Sequence, residues 1–166
     1  MQISEVLIDA FGRIQSEVET VLVQAEGEAL GIRVDPDANS IAWLIWHLTR
    51  VQDDHLAKAF GVEQVWMAGG WAELFGLPFP APVTGYYHSS DEVGELSSVG
   101  YELLGSYHRA TFQQTTRLLR GVTTSDLDRI VDTNWTPPVT LGVRLVSVIS
   151  DCLQHVGQAA YVCGLV

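Results

Sequence analysis

The stretch NSIAWLIWHLTRVQDDHLAKAFG, residues 39–61, decides how the chain folds. Asn39 or Ser40 supplies a side-chain oxygen suited to an N-cap, and Gly61 stops the helix after Phe60. No proline or glycine interrupts the residues between them. At about 100° per residue, His47 shares a face with Trp43, Leu44, Val51 and Asp54. That face is largely apolar, and a helix of this kind must bury it against other helices.

Working outward, the spacing predicts three partners. The first runs from Ile3 to Gln24, with Ile3, Val6, Leu7, Ala10, Ile14, Val18, Val21 and Leu22 at three- and four-residue intervals. Gly27 and Gly31 break it, and Asp35-Pro36-Asp37 reads as a loop. Residues 61–92 hold Gly69-Gly70, Gly76, Pro78, Pro80, Pro82, Gly85 and the pair Tyr86-Tyr87, a loop long enough to suggest function. A third helix is expected from Asp91 to Leu119 or Arg120, ended by Gly121. After a turn at Ser125 to Ile130, Pro137 and Pro138 forbid helix, and the fourth runs from Thr140 to Cys163. No β-alternation of useful length and no internal repeat is visible. The expected architecture is all-α: one four-helix-bundle domain over residues 1–166, with a long crossover loop between the second and third helices.

Composition narrows the function classes. Hydrophobic residues make up 47% and charged residues 17%, an ordinary globular balance. The net charge is -11, and the nine Lys and Arg form no basic run, which argues against nucleic acid and anionic membranes as partners. Acidic residues interrupt the first 25 positions, so no secretory leader is read there, and no stretch reaches the length of a membrane helix. Cys152 and Cys163, eleven residues apart on one expected helix, would lie roughly 16 Å from each other, too far for a disulfide. They read as reduced residues of a cytoplasmic protein.

The chemistry-bearing candidates are few. Asp151 and His155 are spaced i,i+4, which stacks a carboxylate and an imidazole on one helix face, a chelating arrangement for Zn²⁺, Ni²⁺ or Fe²⁺. The same arc holds Arg144, Ser147, Gln154, Gln158 and Tyr161, which also fits a plain solvated side. His47, on its apolar face, needs either a hydrogen-bond partner or a metal. Asp54, seven residues on, lies on that face and is placed to orient His47 or a bound water. His88 lies in the long loop, within reach of a cleft or simply exposed, and His108 beside Arg109 is expected to face solvent. The five tryptophans read as core and loop packing. There is no GxGxxG, Walker A, GxSxG or CxxC sequence.

Two of these stretches resemble a known family. Residues 39–54, with a Trp-Leu pair, His47-Leu48 and an acidic residue beyond, are similar to the second-helix motif of the DinB-like superfamily, which includes relatives of mycothiol-dependent maleylpyruvate isomerase. The stretch Asp151-Cys-Leu-Gln-His155-Val-Gly-Gln158 resembles its second motif, and Trp135-Thr-Pro137 before a helix start also looks like the family. The resemblance covers nearly the whole chain in order. It implies a divalent-metal triad of His47, Asp151 and His155, with Asp151 standing where His or Glu is commoner. An aspartate is shorter, so an ion would sit closer to the fourth helix. The resemblance further implies a metal-dependent transferase or isomerase that uses a low-molecular-weight thiol, mycothiol or bacillithiol, with an electrophile as partner substrate and Asp54 as an orienting group. Homodimers are common in the family. A non-catalytic dimeric stress or binding protein on the same bundle is the alternative.

Overall fold

The computed structural model describes residues 1–25 and 27–166. Four long helices carry the core: α1 (Ile3–Gln24), α2 (Ile41–Phe60), α6 (Tyr101–Leu119) and α7 (Leu141–Cys163). Between α2 and α6 lie three short ones, α3 (Val65–Ala68), α4 (Trp71–Phe75) and α5 (Ser90–Gly94). A small antiparallel pair, β1 (Ile130–Asp132) and β2 (Val139–Thr140), leads into α7. Ser40 Oγ accepts from Trp43 N at 3.2 Å to start α2, and Gly61 closes it with φ 66°.

The long helices form a four-sided bundle in which α1 packs on α6 and α7, and α2 packs on the same two. Their directions follow from the contacts. Arg50 meets Tyr107 and Gln52 meets Thr115, positions that rise together, so α2 and α6 run parallel. Gln15 meets His108, whereas Leu22 lies against Gly105, so α1 opposes α6. Cys152 touches Leu48 and Arg144 touches His55, so α7 opposes α2. Two parallel neighbours joined in sequence require a return along the bundle, and residues 61–100 are that crossover.

Because the crossover folds over α2, that helix is covered on every side: all residues from Ile41 to Asp54 are buried. The core gathers Phe11, Ile14, Ile45, Leu48, Leu104, Leu145, Val148 and Val156 around it, each such aliphatic burial stabilising by about 1.5–3 kcal/mol. Polar residues on the crossover side of α2 are consumed in holding the loop. The fully buried Arg50 donates to the Val83 carbonyl at 3.2 Å and to Gln64 Oε1 at 3.0 Å, beneath the ring of Trp66. Asp53 accepts from Val65 N at 2.8 Å, Trp66 N at 2.7 Å and the Tyr107 hydroxyl at 2.9 Å.

Three expectations are corrected here. The third helix is not continuous from Asp91: Ser97, Ser98, Val99 and Gly100 are successive weak helix formers, and Val99 is extended with ψ 120°. The 61–92 connection is not structureless, since it contains α3 and α4. His108 does not face solvent; it is 0% exposed, with Nδ1 2.7 Å from Gln15 Oε1. Both cysteines are free, Cys152 buried and Cys163 partly so, and no described helix is long and apolar enough to cross a membrane.

Candidate metal centre

The antiparallel packing of α2 on α7 brings His47 opposite the Asp151–His155 turn. One ligand atom from each of the three residues lies within 4.8 Å of the others. The imidazoles of His47 and His155 have centroids 4.7 Å apart, and His155 Nε2 is 3.9 Å from Asp151 Oδ1. Among the described residues this is the one group of three or more His, Cys, Asp or Glu able to hold an ion.

The His47 ring is set before any ligand arrives. It is 2% exposed, and its Nδ1 lies 2.6 Å from the Thr84 carbonyl. A carbonyl only accepts, so Nδ1 carries the proton and Nε2 keeps its lone pair free. Burial is the chief cause that pushes the His47 pKa down to about 4, with the nearby His155, His88 and His55 acting in the same direction and the Thr84 bond opposing. The ring is therefore a neutral ligand at neutral pH. Gly85 makes the approach of Thr84 possible. Its φ is +101°, and a Cβ there would lie 2.7 Å from His47 Nδ1 and 3.0 Å from the Trp46 ring.

The fourth-helix pair is looser. Asp151 Oδ2 and His155 Nδ1 are buried without a hydrogen-bond partner. Burial raises the Asp151 carboxyl above its usual range, with His155 opposing. Unpartnered buried atoms cost free energy unless something satisfies them, and these two belong to residues converging on an imidazole nitrogen held ready. That donor set, two imidazoles and a carboxylate, suits Zn²⁺ and its neighbours. Around one tetrahedral ion at roughly 2.1 Å the ligand atoms lie about 3.4 Å apart, so a pair near the 4.8 Å limit must close by more than about 1 Å on binding. The residues fit a divalent ion.

Aromatic walls shape the surroundings. Trp43 stacks on His47 at 4.5 Å and 13° and sits 6.4 Å from His155, sealing the side toward the start of α2. Its indole N–H donates to His88 Nδ1 at 3.1 Å, so the loop histidine braces this wall. On the opposite side Tyr86 stands edge-on to His47 at 5.1 Å and 6.5 Å from His55, half exposed. Burial and the neighbouring Asp151 push its phenol up to about 12.

Asp54 is placed elsewhere. Its oxygens accept from Lys58 at 2.8 Å and Gln64 at 2.9 Å, and the orienting contact to His47 comes from Thr84. Sequence reasoning missed Thr84, Gly85 and Tyr86 as individual residues. Their one signal was a glycine beside two tyrosines late in a long connection.

Comparison with known proteins agrees with this fold. A family model described as the DinB superfamily matches residues 10–159. The chain belongs to the DinB superfamily. A crystal structure of a conserved protein from Enterococcus faecalis is similar at 30% identity and a TM-score of 0.91, covering 100% of this chain and 98% of that one. No curated protein matches the chain.

Proposed function

We propose that this DinB-superfamily chain binds a divalent metal through His47, Asp151 and His155 and is a metal-dependent enzyme. Its activity is transfer or isomerisation with a low-molecular-weight thiol such as mycothiol or bacillithiol, on a small electrophile. The observation that carries the reading is the convergence of a preset His47 Nε2 with two side chains whose buried atoms lack partners. Three protein ligands leave a position open, as in catalytic rather than structural sites. A divalent ion would lower the pKa of a thiol so that thiolate forms near neutral pH. Thr84 fixes the tautomer of His47, Trp43 excludes water from one side, and Tyr86 borders the approach from the other.

Metal content by mass spectrometry, in the wild type and in His155→Ala, tests the site. Equal near-zero occupancy in both after metal soaking would sink it. Thiol consumption with mycothiol or bacillithiol and an electrophile then tests turnover. A second reading, a metal-binding protein without turnover, is favoured by the engagement of both Asp54 oxygens with Lys58 and Gln64 rather than with the triad. Metal uptake without thiol consumption would select it.

The same proposal includes a homodimer and a cytoplasmic location. Every exposed residue of α7, including Val143, Val146, Leu153 and Tyr161, lacks a formal charge, in a chain of net charge -11. Two like-charged copies meet with least repulsion on such a face. Sedimentation of Val146→Glu against wild type checks it: equal masses would remove the interface.

A further inference from the structure

A second cavity lies further along the α2–α7 groove from the triad, with a volume of about 380 Å³. His55, Lys58, Asp132, Asn134, Trp135 and Arg144 line it. Arg144 precedes Asp151 by seven residues on α7, which puts both on one face about 10 Å apart along the axis. Tyr86 stands between the two places, near His47 on one side and His55 on the other. Trp43 closes the opposite flank of the triad, and the half-exposed Tyr86 borders the flank that faces this cavity.

Its chemistry is that of an anion site. Lys58 and Arg144 line the wall, each paired with one carboxylate, Lys58 with Asp54 at 2.8 Å and Arg144 with Asp132 at 2.7 Å, so an anion must be drawn by the donors these pairs leave unused. The Arg144 guanidinium spends one N–H on Asp132 at 2.7 Å and directs another to His55 Nδ1 at 3.4 Å. A guanidinium has five N–H donors, so three remain, and its side chain is 14% exposed. Because Arg144 can only donate, His55 must accept at Nδ1 and keep its proton on Nε2, which adds a neutral donor. Trp135, 64% exposed at the rim, offers an apolar face to whatever enters.

We infer that this cavity holds the carboxylate of the thiol substrate, gripped by Arg144 with Lys58 in support, while the substrate chain runs past Tyr86 to the triad. The inference rests on the metal reading above and narrows its substrate to a class, a thiol with a carboxylate about two helical turns from its sulfur, which excludes mycothiol because that thiol has no carboxylate. Arg144 is then the residue that selects for charge.

The test uses a matched pair of probes, 6-mercaptohexanoate and 6-mercaptohexanol, titrated into Co²⁺-loaded protein and followed by sulfur-to-cobalt charge-transfer absorption. The wild type should bind the acid about tenfold more tightly, the size of one charge-assisted contact. Arg144→Gln should bring the ratio close to one, and Arg144→Lys should retain part of it. Lys58→Gln, at a surface position that leaves folding intact, should lower the ratio about twofold, a loss of screened attraction. A wild-type ratio near one with cobalt bound overturns the inference and leaves the metal reading standing, as does an unchanged ratio in both the Lys58→Gln and Arg144→Gln proteins. Failure of the wild type to take up cobalt overturns the metal reading instead. The cavity is then judged with hexanoate on metal-free protein: a shift of the Arg144 guanidinium resonance supports it, and none overturns it.

Discussion

Two buried polar clusters lie within two turns of each other on α2, and they are built on opposite principles. In the Arg50–Asp53 cluster, the guanidinium reaches Val83, Gln64 and Tyr107, and both Asp53 oxygens accept from the crossover or from Tyr107. In the His47 cluster, one imidazole is held by Thr84 while Asp151 and His155 each keep a buried atom without a partner. A saturated network fixes structure, because every group has spent its bonding capacity. A convergent and unsaturated one keeps capacity for something the chain does not supply. The contrast separates a clamp from a site more sharply than burial does, since both clusters are buried.

The comparison breaks first at the clamp. Arg50→Met leaves Asp53 ionisable and buried without its cation, which should cost about 3–5 kcal/mol. The crossover should loosen with it, seen as faster amide exchange at Val65 and Trp66 and a large fall in melting temperature. Retention of wild-type stability would mean that the loop is held by its apolar contacts alone. Next in size is Gly85→Ala. Its Cβ meets His47 Nδ1 at 2.7 Å on a backbone with φ +101°, so about 2 kcal/mol of strain is expected. The displaced His47 should lower metal uptake in parallel. Normal metal content in Gly85→Ala would show that the Thr84 contact is dispensable.

His155→Ala should do the reverse of Arg50→Met. Its Nδ1 has no bond to lose, so the metal-free protein should stay within about 1 kcal/mol of wild type. Only the metal-loaded comparison should differ: an ion at a hundred times its Kd adds about 2.7 kcal/mol to the wild type and nothing to the variant. Melting curves with and without a chelator read both numbers from the same samples. A chelator that moves neither curve would count against an ion at this place.

Much of this contrast was legible before the structure, and the rest was not for identifiable reasons. The four long helices follow from uninterrupted periodicity between breakers, as at Ser40 and Gly61. The i,i+4 spacing of Asp151 and His155 made them neighbours in any helix, but only antiparallel packing of α2 on α7 brings His47 to them, a tertiary fact that spacing does not contain. The clamp hid for the opposite reason. Arg50 and Asp53 look like the solvated side of an amphipathic helix, and they are buried because a crossover of some forty residues folds over them. His108 misled similarly, since adjacency to Arg109 suggested solvent, yet at the α1–α6 contact it turns inward to Gln15. The break at Gly100 and the short β pair depend on residues too few to produce a period.

His108 also supplies the finest test. Like His155 it has an unpartnered buried nitrogen, Nε2, but among the described residues it belongs to no group of three convergent ligand-bearing side chains. Convergence, rather than a missing bond, is what marks the site, so His108→Gln should leave metal content unchanged. Its effect should appear only in acid. Burial pushes the His108 pKa down from 6.5 to about 3. The unfolded chain therefore takes up a proton below pH 6.5 that the folded chain refuses until about pH 3, and stability falls as pH falls through that window. The slope for one such group is about 1.4 kcal/mol per pH unit. His47, lowered to about 4 by its own burial, adds a second and narrower contribution. Glutamine keeps an N–H for Gln15 and removes the titration, so melting of His108→Gln should match wild type near pH 7.5 and exceed it progressively below pH 6. Parallel curves would mean that the buried imidazole finds a proton partner on folding. A loss of metal in this variant would mean that an isolated buried nitrogen is enough to recruit an ion, and the distinction between clamp and site would have to be redrawn.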